Sequence, residues 1–207
     1  MEHYKYLIIG GGMTAEAAVR GIREVDSNGT IGLIGAEPDP PYNRPPLSKA
    51  LWKGKPLTGI WRSTENQGVQ LALKHTAQTL DPRNKRVTDE QGAVYTFDKL
   101  LLATGGTTRR LPFGGDQVIY FRTLADYKRL RALAERGQRF AVIGGGFIGS
   151  EIAAALTMNG KQVTMLFPDE TIAGRVFPRD LGMYLNDYYR QKGVKVLAGE
   201  SVVGLET

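Results

Sequence analysis

Cysteine is absent from all 207 positions. This chain therefore cannot supply a disulfide, a thiol nucleophile, an iron–sulfur cluster or a cysteine-ligated zinc. Histidine is scarce: His3 and His75 stand far apart, so no metal site is expected, and both read as surface or interface residues. No run of about 18 apolar residues occurs, which excludes a membrane-spanning helix. The start, Met1-Glu-His-Tyr-Lys-Tyr6, lacks the basic and apolar regions of a signal peptide, and a cytoplasmic address is expected. What remains is ordinary globular material, 42% hydrophobic and 23% charged, enough for one large or two modest domains with their own cores. The formal net charge of +6 and the pI near 9.5 favour acidic partners. Charge alone does not separate nucleic acid, an anionic cofactor and an acidic protein.

The most informative feature is an internal repeat. Tyr6-Leu-Ile-Ile-Gly-Gly-Gly12 returns as Ala141-Val-Ile-Gly-Gly-Gly146. Each apolar run ends in three glycines, and a helical pattern follows. After the first, Ala15, Ala18, Val19 and Ile22 keep the spacing of one buried helix face; after the second, Ile148, Ile152, Ala155 and Leu156 do so. Gly160 falls where the second helix would end. Apolar strands follow at Ile31-Gly-Leu-Ile34 and Val163-Thr-Met-Leu-Phe167. Two βαβ units predict an α/β fold built from two Rossmann-like three-layer dinucleotide-binding units, the second incomplete at its C-terminal end.

Between the units, short strands are expected at Val69–Leu73, Ala77–Leu80, Arg86–Thr88 and Val94–Phe97, with a hairpin turn over Asp89–Gly92. A buried strand is expected over Lys99–Ala103, and a helix from about Leu124 to Arg136. Pro112, Gly114 and Gly115 suggest a boundary near 112–118, giving domains 1–115 and 116–207. Val194–Val196 reads as a strand and Glu200–Thr207 as the beginning of another, as in a protein cut short.

Gly10-x-Gly12-x-x-Ala15 and Gly144-x-Gly146-x-x-Gly149 each follow a strand and open a helix. The first glycine allows the tight turn, the second lets a diphosphate approach the backbone, and the small third residue lets helix pack on strand. The phosphates then meet the positive end of the helix dipole. An acid after the next strand binds the adenosine ribose, and Glu37 fills that place in the first unit. In the second, Asp169 and Glu170 follow Pro168. A carboxylate there favours NADH over NADPH, while the nearby Arg175 is a residue that can accept a 2′-phosphate. Two loops predict two dinucleotides, FAD and NAD(P)H.

Pro41-Tyr-Asn-Arg-Pro-Pro-Leu-Ser-Lys49, Leu102-Ala-Thr-Gly-Gly106 and Phe147-Ile-Gly-Ser-Glu151 resemble the FAD-dependent pyridine nucleotide-disulfide oxidoreductases. The chain looks most like the branch that holds apoptosis-inducing factor and the putidaredoxin-reductase-type ferredoxin reductases; Leu166-Phe-Pro-Asp169 is closest to the former. The resemblance implies that Gly10, Gly11, Gly12, Met13 and Thr14 cradle the FAD diphosphate and that Glu37 meets its ribose, although Ala36 stands where relatives have a second acid. It implies that Arg44 meets phosphate or ribityl oxygens, Ala77 the adenine, Thr104 and Gly105 the flavin cavity, and Arg122 the FAD. Gly144, Gly145, Gly146, Phe147 and Ile148 match the nicotinamide-nucleotide loop. Lys49 matches the lysine beside the isoalloxazine, and Glu151 matches its carboxylate partner. These two make chemical sense together, because a cation favours electron arrival at the flavin and a buried cation needs a counter-charge.

The resemblance implies hydride transfer from NADH to FAD and electron delivery to an acidic ferredoxin or another acceptor, with a homodimer as a compatible assembly. Relatives continue past this chain's end with the rest of the nucleotide domain, a returning FAD segment and an interface domain. Weak or absent FAD is therefore expected of this chain alone. Arg83, Lys85, Arg86, Lys128, Arg129, Arg131, Arg136 and Arg139 are spread over several elements and read mostly as solvated faces. Without interleaved aromatics, nucleic-acid binding is the less favoured alternative. Disulfide reduction would need thiols from outside this chain.

Overall fold

A computed structural model describes residues 1–206. The chain packs as two units, one made of Met1–Asn43 and Thr58–Thr107, the other of Arg44–Leu57 and the chain from Thr108 onward. A single cut near 112–118 thus differs from the packing in two respects: the chain passes to the second unit already at Thr108, and Arg44–Leu57 groups with the second glycine loop.

In the first unit, β1 (Glu2–Ile9), α1 (Met13–Val25), β2 (Ile31–Gly35) and β3 (Val69–Leu73) lead to β4 (Ala77–Asp81), β5 (Arg86–Asp89) and β6 (Val94–Leu102). The sheet order is β3-β2-β1-β6-β5-β4. β1 runs parallel to β2 and β6, and β2 to β3, whereas β4, β5 and β6 join antiparallel. All five residues of β2 are buried, as a central strand covered on both faces requires. Successive side chains of β1 serve opposite faces: Ile8 packs with Ala15 and Val19 of α1, while Leu7 and Ile9 pack with Tyr95 and Phe97. The two strands expected over 94–97 and 99–103 are one continuous strand. Its second half is not buried, since Leu101 and Leu102 are 38% and 58% exposed. β5 pairs only with Val94–Thr96, so beyond Thr96 that edge of β6 has no strand partner among the described residues.

In the second unit, α2 (Leu124–Arg136), β7 (Arg139–Ile143), α3 (Phe147–Met158), β8 (Gln162–Phe167), α4 (Arg179–Gln191) and β9 (Val194–Ala198) build a parallel sheet in the order β7-β8-β9. Thr123 and Asp126 close a capping box at the start of α2. The chain leaves α3 through Gly160 at φ +74°. Helix α4 has no counterpart in the sequence reading. Its inward side holds the buried Gly182 and Asn186 and, at the same helical spacing, the half-buried Leu185 and Tyr189 that pack against the core. Asn186 is a tie: its Oδ1 accepts from the Ile172 amide at 2.9 Å and its Nδ2 donates to the Glu170 carbonyl at 3.0 Å. Glu200–Glu206 forms no strand, and Thr207 lies outside the described residues.

Arg44–Leu57 folds into short 3-10 turns, Pro45–Ser48 and Ala50–Lys53. The adjacent prolines lack the N–H groups a longer helix would use. Trp52 anchors the segment. Its Nε1 donates to the Leu47 carbonyl at 2.8 Å, Asn159 donates to its carbonyl at 3.2 Å, and the Arg131 guanidinium lies 5.2 Å from its ring. Arg131 is therefore not a purely solvated charge.

Candidate functional site

Each unit carries one strand-to-helix turn. In the first, Gly10 has φ +120°, and its amide donates to the Ile34 carbonyl at 2.8 Å. A Cβ at Gly10 would overlap the Ala103 carbonyl, so two effects demand glycine there. Gly12 is the N-cap of α1 and makes no side-chain cap; a Cβ on it would meet nothing within 4 Å. Met13 and Thr14, the first residues of the helix, are exposed. An uncapped helix start beside open space is where a diphosphate fits.

Glu37 follows β2 and is half-buried; its Oε2 accepts the Tyr42 hydroxyl at 2.5 Å. Its carbonyl accepts the Lys74 amide at 3.2 Å, and the Gly35 carbonyl accepts the His75 amide at 3.0 Å. These bonds bring the segment before Ala77 against the end of β2. His75, expected at a surface or an interface, has a specific partner. It is half-buried, with Nδ1 2.5 Å from Oδ2 of the buried Asp89, which also accepts from Tyr95 and from the amides of Gln91 and Ala93. Burial pushes the Asp89 carboxyl upward, but these hydrogen bonds together hold it below the usual aspartate value. Thr104 and Gly105 follow β6 and are exposed. Glu16 on α1 is buried as well, accepting from Arg20 at 2.8 Å and from Arg62 Nε at 2.5 Å, and Arg62 in turn bonds Asn43.

In the second unit, Gly144 has φ +119° and its amide donates to the Leu166 carbonyl at 2.9 Å. Gly145 is buried against the Phe167 ring. Gly146 is the N-cap of α3, again without a side-chain cap and with open space where a Cβ would stand. Phe147 and Ile148 are 53% and 47% exposed. Ile148 is thus off the buried face assigned to it from the periodicity; it stands in the first turn of α3, whose buried side begins at Ser150. Asp169 is half-buried just past β8, with Oδ1 3.4 Å from Arg175 Nε. Glu170 is exposed and paired with Arg179. The Ala173 amide donates to the Gly145 carbonyl at 2.8 Å, which folds the Asp169 loop back onto the glycine turn.

The same unit brings Lys49 and Glu151 together, with Nζ 2.7 Å from Oε1. Ser48 Oγ donates to the other carboxylate oxygen, Oε2, at 2.6 Å. Arg44 Nη1 donates to the Arg122 carbonyl at 3.0 Å, and the Arg122 amide donates to Asp126 at 3.0 Å. Sequence reading missed Ser48, Tyr42, the Glu16–Arg62 clamp and the His75–Asp89 pair. Nothing in local spacing reveals a partner on a distant element. Among the described residues, no group of three or more His, Cys, Asp or Glu gathers to hold a metal, and no helix is long and apolar enough to cross a membrane.

The model of the family described as pyridine nucleotide-disulphide oxidoreductase matches residues 4–207. The ferredoxin reductase subunit of a 5,5'-dehydrodivanillate O-demethylase from Sphingobium sp. is 36% identical over all of this chain and 52% of its own length. Mitochondrial apoptosis-inducing factor 1 of Dictyostelium discoideum is 31% identical over 96% of this chain and 42% of its own. A solved covalent complex of putidaredoxin reductase with putidaredoxin superposes with a TM-score of 0.90 at 28% identity, covering 99% of this chain and 51% of that one. The chain spans about half the length of the relatives it matches.

Proposed function

Since this chain belongs to the pyridine nucleotide-disulphide oxidoreductase family, we propose that it binds FAD at its first glycine turn and NADH at its second, as part of a reductase that passes electrons to a ferredoxin-type protein. The observation that carries this reading is the pair of uncapped helix starts at Gly12 and Gly146, each facing space that a Cβ would enter without obstruction. Two anionic diphosphates suit two such turns.

The chemistry supplied by the bound groups is hydride transfer from nicotinamide to flavin, which needs alignment more than a protein acid or base. The chain's own residues bind and bias. Glu37, aimed by Tyr42, accepts from the FAD ribose. Ala77 flanks the adenine, while Thr104 and Gly105 border the flavin. Arg44 and Arg122 meet the FAD, and Lys49 presents a positive charge to the flavin ring. Glu151 pairs with that charge, its Oε1 2.7 Å from the Lys49 ammonium. Phe147 and Ile148 are exposed at the start of α3 and line the nicotinamide-nucleotide turn. Asp169 accepts from the adenosine 2′-hydroxyl of NADH and repels a 2′-phosphate, while Arg175 lies 3.4 Å from it on the exposed side of the loop.

The acceptor class rests on two relatives, a ferredoxin reductase subunit and a reductase solved with its putidaredoxin partner. The net charge of +6 suits an acidic protein of that kind through electrostatic steering. The test is an anaerobic titration of the FAD-loaded complete gene product with NADH and NADPH, followed by an acidic iron–sulfur ferredoxin. Bleaching of the flavin band by NADH and its recovery with the ferredoxin are expected. A flavin left oxidised by excess NADH and NADPH overturns the reading.

A further inference from the structure

The Lys49–Glu151 pair has a weakness as a device for fixing a charge. Its side chains are 53% and 26% exposed, and an ion pair that open to water contributes little by itself to holding either group in place. Each chain is free to turn into solvent unless something else anchors it. Ser48 is that anchor: it is 6% exposed, and its hydroxyl reaches Oε2 of Glu151 at 2.6 Å. The competing acceptor, the Pro45 carbonyl, lies 3.5 Å away, too far for a strong bond, so the single hydroxyl proton goes to the carboxylate. Such a short hydroxyl–carboxylate contact belongs to the charge-assisted class. Glu151 is thereby divided, with Oε2 given to Ser48 and Oε1 to Lys49.

The backbone on both sides supports this arrangement. Lys49 occupies the break between the two 3-10 turns, at φ −127° and ψ −89°, so Ser48 and Lys49 both reach the same residue of α3. On the α3 side, Tyr189 of α4 donates to the Ser150 carbonyl at 3.1 Å and holds the backbone one residue before Glu151. We infer that Ser48 is a positioning residue: it fixes the Glu151 carboxylate, and through it the place of the Lys49 ammonium. This deepens the proposed function and rests on it for its purpose, since the charge so fixed is the one presented to the flavin.

The test compares wild type with Ser48→Ala, Ser48→Thr, Glu151→Gln and the Ser48→Ala/Glu151→Gln double variant. The first readout needs no cofactor: trace acetylation of lysines under native conditions, followed by mass spectrometry, with Lys53 as internal reference. Lys49 labelling is expected to rise about threefold or more in Ser48→Ala and Glu151→Gln, to stay at the wild-type level in Ser48→Thr, and to rise no further in the double variant than in Glu151→Gln alone. The second readout is the anaerobic rate of flavin reduction by NADH in the loaded protein. It is expected to fall about tenfold in Ser48→Ala with NADH affinity unchanged, and to recover in Ser48→Thr. Unchanged Lys49 labelling in Ser48→Ala, or a full additional effect in the double variant, overturns the inference. Failure of the underlying redox reading is read separately, on the wild type, as a flavin that neither NADH nor NADPH reduces.

Discussion

Tyr42 donates its hydroxyl to Oε2 of Glu37 at 2.5 Å from a fully buried position. The carboxylate at the end of β2 is thus aimed by a phenol from the segment leading into Arg44-Pro-Pro-Leu-Ser-Lys49. Removing that hydroxyl in Tyr42→Phe should weaken FAD binding by about 1.5 kcal/mol, roughly tenfold, with Glu37→Ala weaker still. Fluorescence titration of apoprotein with FAD measures this, and equal affinity in all three proteins would contradict the ribose assignment.

The glycines of the turns should separate by role. Gly10→Ala forces a side chain onto the Ala103 carbonyl at a φ of +120°, so loss of folding is expected. Gly12→Ala and Gly146→Ala place a methyl in open space. They should melt within a few degrees of wild type yet bind FAD or NADH, respectively, roughly tenfold more weakly or worse. Calorimetry of the apoproteins and ligand titration together decide. A Gly146→Ala protein with wild-type NADH affinity would show that no diphosphate lies there.

Asp169 is expected to set the coenzyme preference. Replacing it by alanine removes the ribose acceptor and frees Arg175 from its 3.4 Å contact. The NADH-to-NADPH ratio of kcat/KM should then fall on the order of tenfold. Steady-state kinetics with both coenzymes is the check, and an unchanged ratio would move the specificity elsewhere.

Acid should loosen the part of the first unit around Asp89. The Asp89 carboxyl is held below its usual value, so the unfolded state takes up a proton first as pH falls. Its contribution to stability is complete above about pH 4 and fades below that toward the depressed value. Asp89→Asn should flatten the acid limb of a stability–pH curve. At the other extreme, burial and the bond to Asp89 push the Tyr95 phenol up to about 12. Its contribution is complete below about pH 10 and lost as pH rises through that raised value. Denaturant midpoints across the pH range test both limbs, and identical curves for wild type and Asp89→Asn would reject the acid claim.

Trp52 is 4% exposed and ties Arg44–Leu57 to α2 and α3 through Arg131, Tyr127 and Asn159. Trp52→Ala should cost about 3–5 kcal/mol, while Trp52→Phe keeps much of the packing. Equilibrium unfolding gives the number. A loss below about 1 kcal/mol in the alanine variant would mean the segment is held by other contacts.

Much of this protein was legible along the chain, because the relevant rules act over short distances. Glycine spacing after an apolar run dictates a strand, a tight turn and a helix start, and both turns stand at Gly10–Gly12 and Gly144–Gly146. The buried faces of α1 and most of α3 follow from helical period. Two elements escaped the reading: α4, although Gly182, Leu185, Asn186 and Tyr189 keep the spacing of one helix face, and β6, which runs unbroken through Asp98 because pairing with β1 holds it extended. Resemblance to known reductases paired Lys49 with Glu151, but no local pattern brought in Ser48.

By itself, then, the order of residues determined two βαβ units, two glycine turns and a chain without cysteine, since torsional preference and side-chain period are properties of neighbouring residues. Tertiary structure decided which distant groups meet: Tyr42 with Glu37, Asp89 with His75, Asn186 with the loop after Asp169, and Ser48 with Glu151. Each of these bonds joins groups whose meeting depends on how whole elements pack, and a hydrogen bond forms only once that packing has brought donor and acceptor within about 3 Å.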